Sequence, residues 1–350
     1  MAGSGGRPIP AFVFPNHRDL TYAKVELDPE SVRFVMDGMG RIDDPLTRQL
    51  LWSSLWSMVR DRTLSSLRFL DLAQRELPGE GSVEILRIVT ARARRAVAAY
   101  VPAERKQQAA RDWFAVCRSA LDEAEPGDAR VIWARAMIAA ATDPADLAVA
   151  APIVDEEEAI EGLRIDQEMR WDLAVAFSAH GMPGAEERVA AEERRDPSDR
   201  GRRAVLRAGA SRPDLDVKVA VWERIHEHGY RSLHEMIAAM RGFGWDHQQS
   251  LLEPYAAEFF DRVTEVFAAW EWEEAKAYFG ALFPSYRIER DTVVRARSLL
   301  EDTGEVRLRR LLAEEIDELR RALACRELAA LEAPAAPPGA STEVGERLPQ

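Results

Sequence analysis

Apolar residues recur along this chain at intervals of three and four, in stretches of about ten to twenty residues broken by short polar connections. That spacing gathers them on one side of an α-helix, since a turn takes about 3.6 residues. The pattern predicts helices near 62–76, 83–100, 103–123, 128–140, 165–179, 185–194, 214–227, 231–241, 248–269, 271–281 and 287–301. After Pro45 the apolar set Leu46, Leu50, Leu51, Trp52, Leu55, Trp56, Met58 and Val59 covers more than one helical face, as in a helix packed between neighbours. Leu308, Leu311, Leu312, Ile316, Leu319 and Leu323 instead form one stripe, which suits an outer or closing element.

Four Asp-Pro pairs mark helix starts: Asp28-Pro29, Asp44-Pro45, Asp143-Pro144 and Asp196-Pro197. The carboxylate can accept an orphan backbone N–H, and proline in the first turn forfeits no hydrogen bond. Only Leu20 to Leu27 reads as extended chain, so at most a short strand is expected there. The expected fold is therefore all-α, an irregular α-solenoid of stacked helix pairs from about residue 28 to residue 325. Residues 1–9 and 329–350 are rich in Gly, Pro, Ala and Ser and are expected to be flexible tails.

Composition narrows the function classes. Of 47 basic residues only four are lysines, and the net charge is −13, which disfavours a protein whose main work is tracking phosphates. The run Arg92, Arg94, Arg95 is read as a solvated helix face. Cys117 and Cys325 lie far apart within helical patterns, giving no disulfide framework and suggesting a reducing, cytoplasmic setting. No stretch approaches the roughly 18 apolar residues of a membrane span. Neither a nucleic acid nor a membrane is expected as partner.

Several strings identify a relative. Phe14-Pro15-Asn16-His17-Arg18-Asp19-Leu20-Thr21-Tyr22-Ala23-Lys24-Val25-Glu26-Leu27-Asp28 resembles the segment that opens the C-terminal domain of bacterial aminopeptidase N, a zinc peptidase of the M1 family. It departs from the usual pattern at His17 and Arg18. Trp52 to Asp61, Gly162 to Trp171 and Leu251 to Phe260 match further, in family order, so the resemblance covers roughly 10–328 as one domain. It implies a bowl of HEAT-like helix pairs that caps a zinc-bearing catalytic domain and helps to enclose the peptide.

The chemistry itself is missing. Zinc hydrolysis of this kind needs two histidines a helical turn apart with a glutamate between them, HExxH, and no such string occurs. His226 and His228 are two apart, and His234-Glu235 is followed by Ala238 where the second ligand would stand. The family's GxMEN loop, which binds the substrate's amino terminus, is absent too. No catalytic residue and no metal ligand is therefore assigned, and zinc is expected only in a catalytic partner. The glycines of Arg241-Gly242-Phe243-Gly244-Trp245 read as a break between helices. Trp52, Trp56, Trp113, Trp133 and Trp171 read as core packing.

Arg60, Asp61 and Asp166 with Arg170 stand beside apolar neighbours and are read as partly buried ion pairs between helices. Arg170, or another arginine on the concave face, is the expected contact for a peptide carboxylate, which a guanidinium fork suits. The reading that follows is a non-catalytic chamber domain that works with an M1 catalytic half. A stand-alone helical scaffold for a peptide or protein is the alternative, and an enzyme of unrelated chemistry is the least supported.

Overall fold

The computed structural model describes residues 12–332; both expected tails lie largely outside that range. Sixteen α-helices form among the described residues, and no strand does. They are α1 (Pro29–Gly38), α2 (Pro45–Arg60), α3 (Ser66–Glu76), α4 (Val83–Arg95), α5 (Ala103–Glu123), α6 (Asp128–Ala140), α7 (Pro144–Val154) and α8 (Gln167–Ala179). The chain continues through α9 (Ala185–Arg195), α10 (Asp199–Ser211), α11 (Leu215–His226), α12 (Leu233–Phe243), α13 (Gln249–Ala269), α14 (Trp272–Leu282), α15 (Arg290–Asp302) and α16 (Val306–Ala330).

Three of the four Asp-Pro pairs start helices as expected. Asp28, Asp44 and Asp143 each accept backbone N–H groups at the heads of α1, α2 and α7. The fourth does not. Asp196 ends α9, and its carboxylate is taken by Trp171 Nε1 at 3.0 Å and by Ser198. Ser198 supplies the cap instead, accepting from Gly201 N. The helix that follows, α10, escapes the hydrophobic pattern because its sequence carries four arginines and two glycines.

The region expected as one helix over 83–100 divides. Residues Ala96–Tyr100 form a π-turn closed by Val101 N donating to Ala96 O at 3.0 Å. Such one-residue insertions re-aim the side chains around them.

Two apolar cores result. The first is built from α1 to α8 around Trp52, Phe69, Trp113 and Trp133, and the second from α11 to α16 around Phe259, Tyr278 and Phe279. Two structures join them. On one side α10 packs against both α8 and α12. On the other, α16 places Leu308, Leu312, Ile316 and Leu319 in the second core and Ala322 and Cys325 in the first. It also packs against α2, α3 and the π-turn, so the single apolar stripe marks a strut between cores.

The glycine cluster is not simply a break. α12 runs through Gly242 to Phe243, and only Gly244 ends it. Gly242 is where α12 meets α10: a Cβ there would lie 2.2 Å from Arg207 O. Only a residue without a side chain permits that approach.

Candidate functional site

A cleft of about 180 Å³ opens at the seam between the cores. One wall is the end of α4 and the π-turn, with Arg95, Ala98 and Ala99. The other carries Phe243, Tyr255, Phe283 and Tyr286 from the second core, with Asp246 beside them. Arg326 of α16 spans the two sides, donating to Ala99 O at 3.0 Å and Ile288 O at 3.4 Å.

One arginine, Arg95, lines it on the first-core side, and Glu318 links Arg95 to a small arginine cluster. Glu318 on α16 pairs with Arg60 of α2 at 2.5 Å, with Arg321 at 3.4 Å and, more distantly, with Arg95 at 3.7 Å. Arg95 also lies over the Tyr100 ring, 5.8 Å from its centroid. Burial raises the Tyr100 phenol above its ordinary value, and the nearby Glu318 carboxylate adds to the effect. Glu315, on the same helix, is raised by burial, with Arg95 opposing.

Arg92 corrects the reading of a wholly solvated run. Arg94 and Arg95 are exposed, but Arg92 is half-buried and burial lowers its pKa. Its guanidinium reaches only Ser53 Oγ, at 3.4 Å, among the described residues. A half-buried cation with so weak a partner is costly, and it sits one helical turn from Arg95. The sequence offered no signal for this, because an arginine among arginines reads as surface.

The ion pairs expected from sequence have other partners. Arg60 and Asp61 are not paired with one another: Arg60 goes to Glu318, and Asp61 receives Lys24. Asp166 caps α8 through Met169 N at 2.9 Å and pairs with Arg135, while Arg170 donates to Val154 O at 2.9 Å and to Glu156 at 2.7 Å. Each ties one helix to a neighbour or a loop. Arg170 does not line the seam cleft, and its side chain is only 15% exposed.

Four of the histidines, His180, His226, His228 and His247, are engaged in packing, and His234 is exposed. His226 lies between Trp222 O, 2.8 Å from Nδ1, and the Tyr278 hydroxyl, 3.2 Å from Nε2. His228 packs on Trp270, and His180 stacks on His247 with ring centroids 3.8 Å apart. Burial, and then the charge of His247, pushes His180 down to about 4. Among the described residues no group of three or more His, Cys, Asp or Glu could hold a metal. The donor set for zinc chemistry is therefore not met by these side chains, and no hydrolytic step is derived from them. Of the five tryptophans expected in the core, Trp52, Trp113, Trp133 and Trp171 are buried and Trp56 is half-buried against Phe69 and Tyr100. No helix among the described residues is long and apolar enough to cross a membrane.

The amino-acid sequence is similar to that of known proteins. Aminopeptidase N of Streptomyces lividans is 31% identical over 320 residues, covering 91% of this chain and 37% of that protein. The alignment falls on the C-terminal part of the relative, and the chain spans little more than a third of its length. The sequence profile of the ERAP1-like C-terminal domain matches residues 12–321. Matched over residues 12–321 by that profile, and by a 31% identical relative along 91% of its length, the chain belongs to the ERAP1-like C-terminal domain family.

Proposed function

We propose that this chain is the non-catalytic chamber domain of an M1-type aminopeptidase and acts with a zinc-bearing catalytic half. That half is supplied by another chain or by sequence beyond this one. The observation that carries the proposal is the alignment to the C-terminal part of aminopeptidase N together with the absence of a metal-binding group among the described residues. On this reading the helix pairs stack in HEAT-like fashion around a concave face, in a cytoplasmic setting, and the seam cleft faces the peptide. Arg95, which lines the cleft and is held by Glu318 only at 3.7 Å, is the freer guanidinium for a peptide carboxylate. Arg170 could serve only by giving up Glu156.

The test is reconstitution. Mixed with the zinc-bearing portion of the Streptomyces lividans enzyme lacking its matched C-terminal part, the chain should co-elute and raise turnover of an aminoacyl-anilide. No co-elution and no change in turnover at concentrations well above micromolar would overturn the proposal. The alternative is a stand-alone scaffold. The aromatic cleft with its arginine favours it, since that cleft is complete within this chain.

A further inference from the structure

The lining of the seam cleft is largely apolar and only partly covered. Ala98, Ala281, Tyr286 and Ile288 are half-buried there, with Tyr255 and Phe283 buried beside them. At about 180 Å³ the cleft is smaller than the roughly 300–1,000 Å³ of a common small-molecule site, so its size suits one or two side chains of an extended segment. An aromatic lining suits proline in particular, because its ring packs on an aromatic face and its fixed φ leaves little entropy to lose on docking.

The end of α16 lies beside this cleft. Arg326 donates to Ala99 O and Ile288 O, carbonyls of two lining residues. Glu332 comes only six residues later, a helical rise of about 9 Å. Its carbonyl oxygen accepts from Arg105 of α5 at 2.6 Å, and the next residue of α5, Lys106, pairs at 3.0 Å with Asp246 of the cleft. Two separate ties, through Arg326 and through α5, therefore set the end of α16 at the seam.

The sequence that follows is Ala333-Pro334-Ala335-Ala336-Pro337-Pro338, outside the described residues. Its prolines have the PxxP spacing that aromatic grooves bind. No charged residue occurs from Ala333 to Thr342, so placing this run against Tyr255 and Phe283 strips no ion of water. Five or six residues of extended chain span about 15–19 Å, enough to turn back from Glu332 to the cleft. Tethering also favours the chain's own segment over that of a second copy, since a short linker gives an effective concentration in the millimolar range.

We infer that Pro334 to Pro338 docks in the seam cleft of the same chain and covers it, seating proline rings against Tyr255, Phe283 and Tyr286. The inference rests on the cleft and on where α16 ends, and it stands apart from the chamber-domain reading. Any peptide that enters the cleft must then displace this segment, so its apparent affinity is lowered by the fraction of molecules in which the cleft is covered.

The test compares the whole chain with the whole-chain variant Pro334→Gly, Pro337→Gly, Pro338→Gly, which keeps every residue of the described fold. Peptide-resolved amide hydrogen exchange over 96–101 and 281–288 should be about 10-fold faster in the variant, at low and at high micromolar protein alike, with α2 and α5 unchanged. A synthetic peptide of the sequence 333–342 should bind the variant, and the parent at least about 10-fold more weakly. Equal exchange in parent and variant would overturn the inference, as would a peptide that binds both equally or binds neither. Protection that appears only at the higher protein concentration would assign the segment to a second copy and overturn docking within one chain.

Discussion

Gly242 and Gly209 lie on the facing helices α12 and α10, and alanine should have opposite effects at the two positions. At Gly242 a Cβ would stand 2.2 Å from Arg207 O, 3.0 Å from its carbonyl carbon and 3.1 Å from Ala210 Cβ. The helices must then part by about 1 Å to restore contact distance. Overpacking of this kind costs about 1–3 kcal/mol, and the upper end applies because the nearest wall is backbone. Alanine returns up to about 1 kcal/mol in helix propensity, so Gly242→Ala should lose about 2 kcal/mol net. At Gly209, exposed and with nothing within 4 Å of the added carbon, the propensity gain of about 0.5–1 kcal/mol stands alone. Urea unfolding followed by circular dichroism and tryptophan fluorescence should separate the two variants by nearly 3 kcal/mol, an order-of-magnitude figure from the same sum. If Gly242→Ala is as stable as the parent, backbone contact does not set the α10 to α12 distance, and the account of this joint fails.

Three further outcomes are expected. Lys218 is fully buried, donates to Ala210 O at 2.9 Å and Phe243 O at 2.8 Å, and is pushed down to about 7 by burial. Its unfolded value is about 10.4, so between the two the unfolded chain binds more protons and stability rises with pH; the penalty, at most about 5 kcal/mol, is fully present only below about pH 7. Isothermal denaturation from about pH 7 to 10 should show the parent gaining on Lys218→Met as pH rises, and a flat difference would sink the assignment. Glu318→Gln should weaken the arginine contacts that tie α16 to α2 and α4. Because these groups are about a third exposed or more, the loss should be only about 1–2 kcal/mol and should shrink in about 0.5 M NaCl; a salt-independent loss would point to packing instead. The isolated chain should hold no tightly bound zinc after dialysis and release no amino acid from an aminoacyl-anilide, outcomes that metal analysis and a chromogenic assay check directly.

The helices were legible where two signals agreed. At α2 and α7 a capping aspartate precedes proline and an apolar run, and both begin where expected. At α10 the signals conflicted, since Gly201 and Gly209 lower helix propensity, only Gly201 being set against a neighbour, the Asp196 carbonyl, and the arginines hide a short apolar face. Asp196-Pro197 misled for a different reason: its carboxylate belongs to a tertiary contact with Trp171, twenty-five positions away in sequence. The candidate site was the least legible part. Ion-pair partners depend on which helices meet, so Arg170 and Asp166 could be singled out as engaged without revealing Glu156 and Arg135. Arg92 and Arg95 diverge in exposure only because α4 packs against α2 and then gives way to a π-turn, an insertion that no residue type announces.

On the chamber-domain proposal, the joints between the two cores would give the chain a means of responding to what enters the seam. Arg95 lines the cleft and is also the most distant of the arginines held by Glu318. On the chamber reading, a peptide carboxylate that takes Arg95 competes with Glu318, and Glu318 sits on the helix that fastens both cores. At 3.7 Å, and partly in solvent, the Arg95 contact is the weakest of the set and the first to yield. Arg60 at 2.5 Å remains, so α16 would keep its anchor on α2 while the wall at the end of α4 is freed. Occupancy of the cleft would thus adjust the seam without separating the cores, because α10 and its close approach to α12 hold the opposite side.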